Sequence, residues 1–145
     1  MNTLPIQETV RTAYADHTPL HLIGGNSKAF YGHQTIGQPL HLAEYRGILS
    51  YEPSELVITA RAGTTLQELN AVLAEKNQYL AFDPPILSET TTLGGTIAAG
   101  FSGISRPYLG AARDFVLGVK CLNGKGELLS FGGQVMKNVA GYDVS

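Results

Sequence analysis

The feature that most constrains this chain is a repeated pairing of glycines, Gly24-Gly25 and Gly94-Gly95, each beside a short apolar stretch. The first follows His21-Leu22-Ile23 and leads into Asn26-Ser27-Lys28, so a short strand over residues 20–23 runs into a tight turn with little side-chain cover. Successive unshielded amides at the end of a strand form a concavity that attracts phosphate oxygens. The same residues also read as a plain turn. The second pair sits in Thr92-Leu93-Gly94-Gly95-Thr96-Ile97-Ala98-Ala99-Gly100, followed by Phe101-Ser102-Gly103. This stretch reads as a short helix capped by one of Thr90, Thr91 and Thr92, with free amides at its start for a ligand to touch. Close helix packing through Gly94, Gly95, Ala98 and Ala99 is the alternative reading. Composition agrees with backbone lying close to something: 17 of 145 residues are glycine and only 15% are charged, against roughly 7% and about 25% in typical soluble domains.

Several classes fall away. The net charge of -2 comes without a basic block, which argues against a nucleic-acid surface. Cys121 is the single cysteine, so neither a disulfide framework nor a cysteine metal site can form, and a reducing, cytoplasmic setting is expected. No run of eighteen apolar residues and no signal-like N-terminus occurs, so neither a membrane span nor export is expected. The chain lacks a Walker loop, a G-x-G-x-x-G fingerprint and a His-Glu-x-x-His helix. Gly100-Phe101-Ser102-Gly103-Ile104 lacks the second glycine of a G-x-S-x-G elbow in register. Pro19 keeps His17 and His21 off one helical face; the four histidines read as structural or solvent-facing, and no metal is expected.

The spacing of Ile6, Val10 and Ala13/Tyr14 predicts a helix over residues 6–14, stopped by His17-Thr18-Pro19. Strands are expected at residues 20–23 and 40–43, with paired strands at 48–51 and 56–60, together making a small sheet. Thr65 and Glu68, or Thr64 and Gln67 one position earlier, form a capping box opening a helix whose buried stripe is Leu66, Leu69, Val72 and Leu73. Asn77 is its expected stop, followed by a strand over 79–82. Strands over 115–122 and 127–131 flank Asn123-Gly124-Lys125-Gly126, a strong hairpin signal. A boundary is expected at Asp83-Pro84-Pro85, giving a first lobe over 1–83 and a second over 84–145.

Two further segments are candidates. Arg113-Asp114 precedes an apolar strand whose main chain could pair with a base edge, although a surface ion pair explains it as well. Lys137-Asn138-Val139-Ala140-Gly141-Tyr142-Asp143 offers an amine, an amide and a phenol near a glycine, which suits a polar ligand or a helix start.

Taken in order, these segments resemble the FAD-linked oxidases of the vanillyl-alcohol oxidase and para-cresol methylhydroxylase (PCMH) type. The blocks are His21 to Lys28, Pro53 to Leu66, Thr92 to Gly100, Arg113 to Gly118 and Phe131 to Asp143; the last two narrow the resemblance to the FAD-binding E subunit of bacterial glycolate oxidases. The resemblance implies an α+β, two-lobed FAD-binding domain of the PCMH type: a small mixed-sheet lobe, and a mainly antiparallel-sheet lobe with helices that is incomplete at its C-terminus. Gly24, Gly25, Asn26, Ser27 and Lys28 would hold the pyrophosphate from the first lobe, and Thr92, Gly94 and Gly95 from the second. Gly100, Ser102 and Gly103 would lie along the ribityl and phosphate path, Asp114 and Val119 at the adenosine end, and Lys137, Asn138, Gly141 and Tyr142 toward the flavin.

The family passes a hydride equivalent from the hydroxyl-bearing carbon of a small 2-hydroxy acid to flavin N5, so the cofactor carries the chemistry and the protein positions it. Relatives with covalent flavin place a histidine beside the first glycine pair or a cysteine near the second glycine site; this chain has Asn26-Ser27 and Gly100-Phe101 there, implying non-covalent FAD. The resemblance also implies that the cofactor domain continues past Ser145 and that a substrate domain follows, so the 145 residues alone are expected to be inactive. Other subunits of a glycolate oxidase, a second flavin subunit and an iron–sulfur subunit, are the implied partners, with peripheral membrane association through them. A non-catalytic assembly or electron-relay role in that complex is the alternative.

Overall fold

The computed structural model describes residues 4–132. Helix α1 (Leu4–Ala15) buries Val10 and Ala13, two residues of its apolar stripe. It ends where His17 takes a positive φ of 54° and the amide of Thr18 folds back onto the carbonyl of Ala13 at 2.8 Å. Strand β1 (Leu20–Ile23) pairs in parallel with β2 (Gln38–His41), with Leu22 opposite Leu40. β2 starts two residues before its expected position and contains Pro39. Proline is tolerated because β2 pairs on one side only, leaving an edge that needs no donor there.

Strands β3 (Ile48–Glu52) and β4 (Val57–Ala60) form an antiparallel pair around a 3-10 turn at Pro53–Glu55. The small sheet expected of this half is therefore two separate two-stranded pairs, one parallel and one antiparallel. Helix α2 (Leu66–Ala74) opens with the Thr65–Glu68 capping box, whose reciprocal bonds measure 3.1 and 2.9 Å. The shifted box is not used, because the buried Thr64 hydroxyl faces the main chain of Gly47 instead. Leu66, Leu69 and Leu73 are the centre of the core, with Val72 half-buried. Asn77, at φ 54°, ends the helix with the amide of Gln78 on the carbonyl of Leu73.

The strand expected over 79–82 is absent; this stretch is a loop that buries Phe82 and exposes Tyr79. Helix α3 (Leu93–Ala99) is capped by Thr92 and closed by Gly100 at φ 64°. Two one-turn helices follow, α4 (Arg106–Leu109) and α5 (Ala112–Phe115), then the antiparallel hairpin β5 (Gly118–Leu122) and β6 (Leu128–Gly132). The long strand expected over 115–122 is shortened because the Asp114 carboxylate reaches back to the Ala111 amide at 3.0 Å and turns 112–115 into helix. Phe115 then stacks on Phe82, ring centroids 6.0 Å apart.

The halves before and after residue 83 are laced together. Thr65 and Thr92 form an antiparallel bridge, the Leu66 amide donates to the Thr91 carbonyl at 2.9 Å, and the Leu93 amide donates to the Thr64 carbonyl at 2.8 Å. Thr64, Thr91, Thr92 and Thr96 are buried at this seam, and no buried side-chain polar atom among the described residues lacks a partner. At the far end, the Gln7 side chain donates to the carbonyl of Gly126 at 3.0 Å, tying α1 to the β5–β6 turn.

Candidate functional site

The loop after β1 and the segment leading into α3 meet face to face. A side-chain carbon at Gly25 would lie 1.5 Å from the Thr90 carbonyl oxygen, and one at Gly24 would lie 3.1 Å from the Thr92 hydroxyl. The Thr90 hydroxyl donates to the Gly25 carbonyl at 2.6 Å. Gly25 is therefore required by contact: only a residue without Cβ lets the main chains of 25 and 90 approach this closely.

Loop 24–28 keeps its donors outward. Among the described residues, none of the amides of Gly24, Gly25, Asn26, Ser27 and Lys28 donates to a protein acceptor, while the carbonyls of Asn26 and Lys28 accept from Ala29 and Tyr31. Asn26 has a φ of 57°, so the chain turns through the left-handed region within a run of unpaired amides, as in anion-binding nests. Polar main chain of this kind needs a partner, either water or a ligand rich in acceptors.

The α3 start is different. The Leu93 amide donates to Thr64, the Gly94 amide to the Ala62 carbonyl at 2.8 Å, and the Gly95 amide to the Thr92 hydroxyl at 3.2 Å. The free amides expected at this helix start are already engaged, because the helix is docked end-on against residues 62–64. What the second pair offers is close approach: a Cβ at Gly94 would sit 2.7 Å from that of Ala62, and one at Gly95 would sit 3.1 Å from the Thr92 hydroxyl.

The third glycine segment lies alongside. Phe101 packs edge-on against Tyr31, centroids 5.0 Å apart, and the Lys28 ammonium stands 6.0 Å from the Phe101 ring centre. Burial holds the Lys28 pKa below the ordinary lysine value, and no carboxylate among the described residues lies within ion-pair reach of it. Ser102 is buried and its hydroxyl is committed, accepting from the Ala112 amide at 2.9 Å and donating to the Gly100 carbonyl at 3.2 Å. Gly103, at φ 79°, fits against the Asp83 carbonyl, which a Cβ would approach to 1.7 Å. A hollow of about 200 Å³ opens beside Gly100 and Ser102, lined also by Ile97, Arg106 and Ala112.

Asp114 stands in α5 rather than before a strand, with its carboxylate on the Ala111 amide, while Val119 is half-buried in β5 opposite Phe131. Lys137, Asn138, Gly141 and Tyr142 lie outside the described residues. Among the described residues no group of three metal-ligating side chains occurs, and no helix is long and apolar enough to cross a membrane. The residue that sequence reasoning misses is Thr90; its only signal is the threonine triplet, which offers a choice of helix caps.

Loop, cap and seam together define a class. The chain belongs to the FAD binding domain family, whose model matches residues 2–132; FAD is the cofactor of this family, and the fold is a mixed helix-and-sheet domain of the PCMH type. Among its relatives is glycolate oxidase subunit GlcE of Escherichia coli (strain K12), 51% identical over 138 residues, covering 95% of this chain and 39% of that protein. D-lactate dehydrogenase of Archaeoglobus fulgidus is 26% identical over 144 residues, covering 99% of this chain and 32% of that protein. The fold is shared with Phl p 4, a grass pollen allergen with glucose dehydrogenase activity, at a TM-score of 0.76 and 20% identity, covering 90% of this chain and 27% of that one. The chain thus spans less than half the length of each of these proteins.

Proposed function

We propose that this chain is the FAD-holding part of an oxidoreductase that oxidises a small 2-hydroxy acid, glycolate foremost, with the diphosphate of FAD seated on loop 24–28. The observation that carries this reading is the run of five successive amides without a protein acceptor, placed directly against residues 90–92. A diphosphate supplies the acceptor oxygens those amides lack, and the unpaired, partly desolvated Lys28 ammonium supplies a charge-assisted partner. The residues present therefore fit the group. When bound, FAD supplies the hydride acceptor at flavin N5.

The second glycine segment has a steric part in this reading: Gly94 lets α3 pack closely against Ala62, and Thr92 holds that turn in shape through the Gly95 amide. Gly100, Ser102 and Gly103 hold the adjacent wall, Ser102 by fastening α5 to the α3 terminus. Asp114 and Val119 border the adenosine end, Asp114 through the α5 turn it stabilises, and Lys137, Asn138, Gly141 and Tyr142 serve the flavin end. The lobes divide near residue 83, and FAD lies between them without a covalent bond, since neither histidine nor cysteine stands beside either glycine pair.

The similarity to a protein described as a glycolate oxidase subunit supports work within a multisubunit enzyme, with a second flavin subunit and an iron–sulfur subunit as partners in a cytoplasmic or peripheral membrane complex. The same similarity favours one second reading, an assembly or electron-relay subunit that does not itself oxidise substrate. The full-length protein decides both. Denaturation should release FAD, and anaerobic glycolate should bleach the flavin absorbance. Purified protein without FAD overturns the main reading, whereas FAD that glycolate fails to bleach supports the relay role.

A further inference from the structure

Resting on that reading, the geometry points to Thr90 as the positioning residue of the phosphate loop: its hydroxyl fixes the direction of the Gly25–Asn26 peptide and thereby aims the Asn26 amide. In a planar trans peptide the carbonyl of one residue and the N–H of the next point in opposite directions. The Gly25 carbonyl is pinned toward the α3 segment by the Thr90 hydroxyl at 2.6 Å. The Asn26 amide must then point away from that segment, where no protein acceptor meets it. Without the pin, rotation of this one peptide would present a carbonyl oxygen to the anion in place of a donor. Glycine and a left-handed Asn26 are the flanks that would permit such a flip.

Two neighbouring contacts hold the pin itself. With its proton committed to Gly25, the Thr90 hydroxyl accepts from Ser88 at 2.9 Å, and the Ser88 amide is held in turn by the Thr91 hydroxyl at 3.1 Å. Residues 25 and 90 stand 65 positions apart, so the pin forms only when the two halves of the chain are docked. Cofactor grip is thereby coupled to that docking: the loop adopts its binding-competent peptide orientation once residues 88–92 are in place.

The test uses Thr90→Val, which keeps the shape and removes the donor, and Thr90→Ser, which keeps the donor, both in the full-length protein. The Kd for FAD and for ADP is measured with the FAD release rate and the melting temperature of the apoprotein. Loss of one hydrogen-bond donor predicts about fivefold weaker binding of both ligands in Thr90→Val, expressed mainly as faster release. Thr90→Ser should match the parent, and the apoprotein melting temperature should move little in either. Parent-like release in Thr90→Val, or equal damage in Thr90→Ser, overturns the inference. Lys28→Gln separates the two levels of argument: if it weakens FAD and ADP while Thr90→Val does not, the loop binds the diphosphate and Thr90 does not aim it. If all three variants bind as the parent does, the loop is not the diphosphate site and the inference falls with that reading.

Discussion

The two glycine pairs look alike in the sequence and do opposite things in the fold. At Gly24-Gly25 the amides find no protein acceptor, and Gly25 is needed because the Thr90 main chain presses against it. At Gly94-Gly95 the donors are turned inward onto Ala62 and Thr92, and Gly94 is needed because the helix end is driven against Ala62. One pair leaves hydrogen-bonding capacity unspent and the other exhausts it. Glycine richness therefore says that backbone approaches something, and only the accounting of amides says whether that something is protein or ligand.

That contrast can be broken by substitution. Gly25→Ala should have the largest effect, about 3 kcal/mol of stability with loss of FAD retention, because the added carbon collides with rigid main chain at Thr90; thermal melting and flavin content check it. Gly94→Ala should cost about 1–3 kcal/mol by parting α3 from Ala62. Its FAD affinity per folded molecule should change less than in Lys28→Gln, and equal losses in equilibrium titration would erase the distinction between the pairs. Lys28→Gln should weaken FAD about tenfold while leaving melting of the apoprotein unchanged.

Acidity sharpens the same comparison. Because burial lowers the Lys28 pKa, its charge is lost at a lower pH than an ordinary lysine's, so FAD affinity should fall as pH rises through that lowered value. Titration of FAD across the alkaline range should show the fall in the parent and a flat response in Lys28→Gln. The smallest effect belongs to the capping box, where Glu68→Gln should cost about 0.5–1 kcal/mol. The Glu68 pKa is lowered, first by its bond to the Thr65 amide, with burial opposing and the Thr65 hydroxyl and Arg46 adding to it. A depressed carboxyl gives stability that is present above its unfolded pKa and lost as pH falls through the folded one. Acid melting of the parent should therefore converge on that of the variant.

Much of this architecture was legible in residues alone. Apolar spacing gave α1 and α2, Thr65 with Glu68 gave the start of α2, and Asn123-Gly124 gave the β5–β6 turn, because each is set by contacts within a few positions. The misses are tertiary in origin. Residues 79–82 carry strand-like composition, yet Phe82 is drawn out of any ladder by its stacking on Phe115. Helix α5 is the exception, a local miss: Ala111 has no side-chain donor or acceptor to announce it, and the turn depends on Asp114 reaching back three positions. In the candidate site, loop 24–28 was legible as a strand-to-glycine turn, whereas the engagement of the α3 amides was not, since their acceptors at Ala62 and Thr64 lie some thirty positions upstream. Thr90 was hidden for the same reason: its partner is 65 positions away.

The bond from Gln7 to Gly126 spans 119 positions, nearly the whole described chain. A helix near one end of the described residues thus docks onto a turn near the other. At typical ribosomal speeds of about 5–20 residues per second, α1 waits roughly 6–24 s before its partner exists. During that interval Gln7 has no Gly126 carbonyl to bind, so the rate at which this contact matures should track synthesis of the β5–β6 turn rather than formation of α1.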